Sequence, residues 1–190
     1  MPAADPPASS ADSPTPHLPD LVGLFYERPQ DLGAFEQMDL AADVPQPYRH
    51  LLAHDKHMTV TVEEFHGSRV DVQVLATRRN NGFYSRKILL TRQSDGRVVQ
   101  FGIPRLNMAY LDEDVRREIE GETKPLGRVL IDHNVLREVQ LVALWKVQPG
   151  PDLCRMFGLD APQTVYGRTA LIYCNGEPAI ELLEIVAPQR

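Results

Sequence analysis

The 190-residue chain is 43% hydrophobic and 24% charged, the composition of one ordinary globular domain with a core large enough to need no staples. A formal net charge of −6 repels a phosphate backbone on average, which argues against a nucleic-acid partner. No apolar run reaches the ~20 residues of a membrane span, the N-terminus lacks the segments of a secretory signal, and Cys154 and Cys174 have neither metal spacing nor a disulfide framework. The two thiols are expected to be small buried groups in a reducing cytoplasm.

Residues 1–17, MPAADPPASSADSPTPH, are almost wholly Pro, Ala, Ser and Asp. Such a segment cannot bury enough apolar surface to offset its ordering entropy, so a disordered tail is expected, followed by a single domain over 18–190. LPDLVGLFY reads as a short helix, residues 31–40 as a second helical piece, and PQPYRHLLAH as a helix opening at Pro47. Beyond Asp55 the period turns from helical to alternating. MTVTVEEFHG predicts a strand ending at Gly67, RVDVQVLATRR a second, and the turn at 80–82 returns the chain into FYSRKILLTR. Ser94-Asp95-Gly96 turns it again into RVVQFGIPRL, and DEDVRREIEG predicts a polar helix stopped by Gly121. REVQLVALWKV is a further strand, PDLCRMFGL a short helix, and TVYGRTALIYC and PAIELLEIV flank Asn175-Gly176, a strong hairpin signal. Strands in runs with helical excursions predict an α+β fold, one antiparallel sheet covered on one face by helices.

Two of these strands carry a charge inside an apolar stripe. Alternation places Tyr84, Arg86, Ile88 and Leu90 on one face, and Ile180, Leu182, Glu184 and Val186 on another. A buried unpaired charge is expensive, so Arg86 and Glu184 must meet each other or a ligand. A structural Arg86–Glu184 pair and a cavity for a small hydroxylated anion both fit the pattern. Lys87 and Glu181 fall on the opposite faces, expected to be solvated.

The spacing of His50, His54 and His57 could align three imidazoles, yet no carboxylate or cysteine completes a metal set, and Asp55-Lys56 ends the helix first. No metal is expected. GETKPLGRVL, residues 121–130, crowds Thr, Lys, Pro and Gly before an apolar run. With Thr123 capping and Pro125 in the first turn, backbone N–H groups including that of Leu126 point outward, toward water or toward an anion.

The ordered set HMTVTVEEFHG, FYSRKILL, DGRVV, ETKPLGRVL and ELLEIVAP resembles the chorismate pyruvate-lyase family, from about Leu51 to Pro188. The resemblance implies a six-stranded antiparallel sheet with flanking helices, and elimination of pyruvate from chorismate to give 4-hydroxybenzoate without metal or organic cofactor. It implies that Arg86 pairs with the ring carboxylate, that the N–H groups of Met58 and Leu126 bind the same carboxylate, and that Glu184 stands at the far end of the ring. Glu184 would act there as an acid or merely orient the substrate. A second pocket arginine of the family is replaced here by Ile103, which makes Arg105, two residues on and on the same strand face, the nearest substitute. The same fold serves the effector-binding domains of some bacterial repressors, which catalyse nothing. A non-catalytic aromatic-acid-binding protein, or an enzyme acting on a related enolpyruvyl or aryl acid, are therefore the alternatives.

Overall fold

Tight turns with positive φ set the pairing of the sheet. Asn81 and Gly82 (φ 47° and 81°) and Asn175 and Gly176 (φ 53° and 86°) give the left-handed backbone that matches the twist of flanking strands. In the computed structural model, which describes residues 15–39 and 41–189, these turns join β2 (Val70–Asn80) to β3 (Phe83–Arg92) and β6 (Val165–Cys174) to β7 (Glu177–Val186). With β1 (Gly33–Met38), β4 (Val98–Asn107) and β5 (Arg137–Pro149) they form one antiparallel sheet in the order β1-β5-β6-β7-β4-β3-β2. The α+β class is as the sequence predicts. The strand count is seven, one more than the family resemblance implies.

The extra strand is β1, within the stretch expected to be helical. Residues 29–31 do form a 3-10 turn, but Gly33–Met38 pair with β5 from Gly33↔Pro149 to Met38↔Leu144. The 13-residue β5 outruns its other neighbour and offers a free edge, which overrides the weak local preference of a six-residue segment.

A second correction concerns MTVTVEEFHG, which is a helix. The same letters that alternate also place Met58, Thr61 and Val62 at i, i+3 and i+4, and that is the face buried in α3 (Met58–His66). Gly67, in the left-handed region at φ 58°, ends α3: its N–H bonds the Glu64 carbonyl and that of Ser68 bonds Glu63. This is a Schellman stop, available to glycine without strain.

Both faces of the sheet are covered, not one. On the first lie α2 (Tyr48–Leu52), α3, α4 (Glu113–Glu120) and α5 (Leu126–Asp132), packed over Tyr84, Ile88, Leu106, Ile172 and Leu182. The second carries α1 (Leu18–Gly23) and α6 (Pro151–Phe157), whose Leu21, Val22 and Leu153 pack on Phe101, Ile103, Leu183 and Ile185. Lys87 and Glu181, expected in solvent, are therefore enclosed. Lys87 lies 3.5 Å from Asp152 of α6 and over the Tyr26 ring, and Glu181 pairs with Arg105. Of the expected N-terminal tail, residues 1–14 lie outside the described residues; Pro16 is already buried. No helix of the described residues is long and apolar enough to cross a membrane.

Candidate functional site

The strand register assembles the site. Arg168↔Glu184, Glu184↔Gly102 and Gly102↔Ile88 form one row across β6, β7, β4 and β3, all on the face under α2–α5. Above that row the first turns of α3 and α5 meet. Gly127 is the residue that lets them: a Cβ there would stand 2.9 Å from Thr59 Oγ1 and 3.2 Å from Thr59 Cβ. Between sheet and helices lies a cavity of about 40 Å³, lined mainly by apolar side chains with His57, Thr59, Gln100, Arg168 and Glu184 as its polar members. That is room for a few water molecules. Met58, Leu126 and Glu184, three of the residues singled out in the sequence, line it.

Neither helix has a side-chain cap at its start. His57 and Pro125 are the N-cap residues, so Thr123 does not cap, and α5 begins at Leu126, one residue after the proline. The N–H groups of Met58 and Thr59 in α3 and of Leu126 and Gly127 in α5 precede the first intrahelical acceptor, and these four residues border the cavity. His57 adds a ring Nε2 that is buried without a partner, and burial first, then Arg137 and Arg168, hold its pKa down at about 4.

Arg86 is fully buried two residues along β3 from the cavity-lining Ile88 and is not itself one of the residues that line the cavity. The pairs Ser85↔Arg105 and Ile88↔Gly102 bracket it and set it opposite Pro104, which lines the cavity as Ile88 does. Its Nη1 donates to the Ile119 carbonyl at the end of α4 (3.3 Å), where the helix dipole is negative. Its Nε and Nη2 are buried with no partner. Burial lowers its pKa, but a guanidinium stays charged in proteins. The nearest acid, Glu122, accepts instead from the Tyr84 hydroxyl at 2.6 Å. Among the described residues, Arg86 has no salt-bridge partner.

Glu184 is not that partner. Arg168, equally buried, donates from Nε to Glu184 Oε2 at 2.7 Å, and Gln100 Nε2 donates to Glu184 Oε1 at 3.4 Å. The rest of the Arg168 guanidinium is spent on one loop, with Nη1 donating to the carbonyls of Leu52 and His54 (3.4 and 2.9 Å) and Nη2 to that of Lys56 (3.1 Å). His54 completes the clamp. Its Nε2 donates to the Leu51 carbonyl at 2.7 Å while its Nδ1 accepts from the Lys56 N–H, and burial followed by Arg168 lowers its pKa to about 4. A second cation at the cavity thus exists, and it is Arg168. The sequence carried the signal: Tyr166, Arg168, Ala170 and Ile172 form one stripe with a charge inside it, by the same test that found Arg86.

Arg105 and Ile103 lie on the other face. Gly102 and Pro104 turn to the cavity, so the odd positions of β4 turn away, with Ile103 packed under α1 and α6 and Arg105 paired with Glu181 over the Phe83 ring. Arg105 therefore adds no charge to the cavity. The histidine stripe also dissolves, because α2 ends at Leu52 and only His50 lies on it. No group of three His, Cys, Asp or Glu side chains among the described residues is placed to hold a metal.

No protein-family model matches the chain, and no curated protein does. Solved structures match it in fold. The effector domain of PhnF from Mycobacterium smegmatis aligns with a TM-score of 0.50 at 12% identity, over 70% of this chain and 90% of that one. A possible transcriptional regulator, YydK from Bacillus subtilis, aligns at 0.47 and 12% identity, over 62% of this chain and 57% of that one. The C-terminal domain of the histidine utilization repressor from Pseudomonas syringae aligns at 0.45 and 12%, over 64% and 95%. The chain thus spans little more than half the length of YydK. At such identity the likeness is one of fold: a single seven-stranded antiparallel sheet with flanking helices, the chorismate lyase-like fold.

The expectation of a carbon–oxygen lyase is overturned. The solved structure that shares the fold at a TM-score of 0.50 is an effector domain, that of PhnF. In the site itself, the glutamate expected to serve as acid is held in an ion pair with Arg168.

Proposed function

We propose that this domain binds a small organic acid by its carboxylate and performs no chemistry on it, aryl acids being the first candidates. One observation carries the reading. Arg86 is a fully buried cation with two unused donors, a state expensive enough to need an anionic partner. The uncapped first turns of α3 and α5 border the same space, and Met58 and Leu126 supply N–H groups there. Charge sets the ligand class. Arg168 and Glu184 cancel and His54 and His57 are neutral at pH 7, which leaves Arg86, next to a cavity-lining stretch of β3, as the uncompensated charge of about +1. A monocarboxylate matches that charge; a dianion such as chorismate finds no second free cation. An aryl ring also needs Met58 and Leu126 to swing aside from the small cavity, and both side chains are flexible enough to do so. We place the domain in the cytoplasm, where its two free thiols would remain reduced.

Calorimetric titration with benzoate and 4-hydroxybenzoate tests the reading. Both should bind, and Arg86→Met should weaken both by roughly 3 kcal/mol, about a hundredfold, for a lost charge-assisted contact. Equal binding by Arg86→Met removes Arg86 from the site. Incubation with chorismate should release no pyruvate.

A further inference from the structure

The cavity shares two wall residues with the outside. His57 and Val139 line it, and they also line an open groove of about 780 Å³ between the start of α3 and the α5–β5 connection. Val60, Ile131, Val135 and Leu136 give this groove an apolar floor. Leu136 is 74% exposed, twice the exposure of Phe65, Leu75 or Tyr110. The ionic residues around the groove are Asp55, Lys56, Arg137 and Glu138, two of each sign, so nothing there attracts a second anionic group.

We propose that the cavity is only the head of the site, and that the groove beyond His57 takes the apolar body of the same ligand, an extended monocarboxylate with a hydrocarbon tail. The inference rests on the carboxylate reading above and names the class of acid. Dimensions argue for it. From Ile88 on β3 to Val139 on β5 the cavity lining crosses five adjacent strands, about 19 Å at ~4.8 Å per step. A carboxylate held near Arg86 on β3 lies at one end of that path and the groove at the other. Benzoate spans less than half the distance. Once Met58 and Leu126 have swung aside, a chain of ten or so carbons spans most of it and brings its end up to the His57 ring, with Leu136 just beyond. The unpartnered His57 Nε2 stands at the partition, where a tail must displace the ring.

The experiment is a calorimetric series on the full chain with hexanoate, octanoate and decanoate below their micellar concentrations, with 1-decanol as the neutral control. Affinity should rise about fourfold per methylene, the increment of burying one CH₂, and 1-decanol should bind far more weakly than decanoate. Leu136→Asp, at an exposed position, leaves the fold intact and places a like charge in the path of the tail. It should cut decanoate binding several-fold and leave hexanoate unchanged. Acids that bind with no dependence on chain length overturn the groove while the carboxylate reading stands. A rise with length that Leu136→Asp does not touch also overturns the groove, since the tail then lies elsewhere. If 1-decanol binds as well as decanoate, or no acid binds at all, the carboxylate reading fails and takes the inference with it.

Discussion

Two fully buried arginines on the same side of one sheet stand in opposite electrostatic conditions. Arg168 has an acid and three backbone carbonyls; Arg86 has a single carbonyl. Their neighbours should therefore respond to substitution in opposite directions. Glu184→Gln leaves Arg168 as an uncompensated buried charge and should cost about 3–5 kcal/mol in urea unfolding. A variant as stable as the parent would mean that the loop carbonyls alone satisfy Arg168. Arg86→Met removes a charge that has no counter-ion and should stabilise the free protein, on the order of 1–4 kcal/mol. A lower melting temperature would show instead that Arg86 is needed to hold the end of α4. The alternation test made Arg86 and Glu184 legible as intruders but not their relation. Which acid meets which base depends on strand order, and β6, not β3, is the neighbour of β7.

At the level of elements, the site depends on how closely two short helices approach. Gly127→Ala tests this, because the added methyl would press on the buried Thr59 in the first turn of α3. Alanine gains about 1 kcal/mol of helix propensity over glycine, while overpacking costs roughly 1–3 kcal/mol. The expected result is a small net loss of stability, with a clear loss of acid binding as the helix starts are pushed apart. Thr59→Ala in the same chain should restore much of both. The misread helix at 58–66 belongs to this scale too. A run of Thr and Val carries two periods at once, and only the tertiary partner, here α5 above the sheet, selects the period of 3.6. Hairpins were legible because Asn-Gly turns act locally; β1 was not, because its partner lies more than a hundred residues away.

For the molecule as a whole, acid is the revealing variable. His54 and His57 are held at about 4 in the folded chain, against an ordinary value of 6.5. His66 is lowered as well, by burial and then Arg92. Between those values the unfolded chain takes up protons that the folded one refuses, so stability is complete above about pH 6.5 and declines as pH falls toward 4. Thermal unfolding across that range should show the melting temperature falling by several degrees, and His57→Gln should flatten part of the slope. A melting temperature that holds steady down to pH 4 would mean that these rings protonate in place. Composition gave a fair account of the overall size and class, but not of the two-sided cover. Residues 18–23 and 151–157 are too short to declare in sequence which face they protect.

The place of β7 has a consequence for how the chain is made. It is the middle strand of seven and the last in the chain, the one link between β1-β5-β6 and β4-β3-β2. Until residues 177–186 are present, a growing chain holds two half-sheets whose inner edges, on β6 and β4, are long, apolar and open to any passing strand. Closing the sheet then joins segments far apart in sequence, which is slow. The interval between synthesis and closure is when this protein is exposed to aggregation. Cooler growth or added chaperone should thus raise its soluble yield while the melting temperature of the purified protein stays the same.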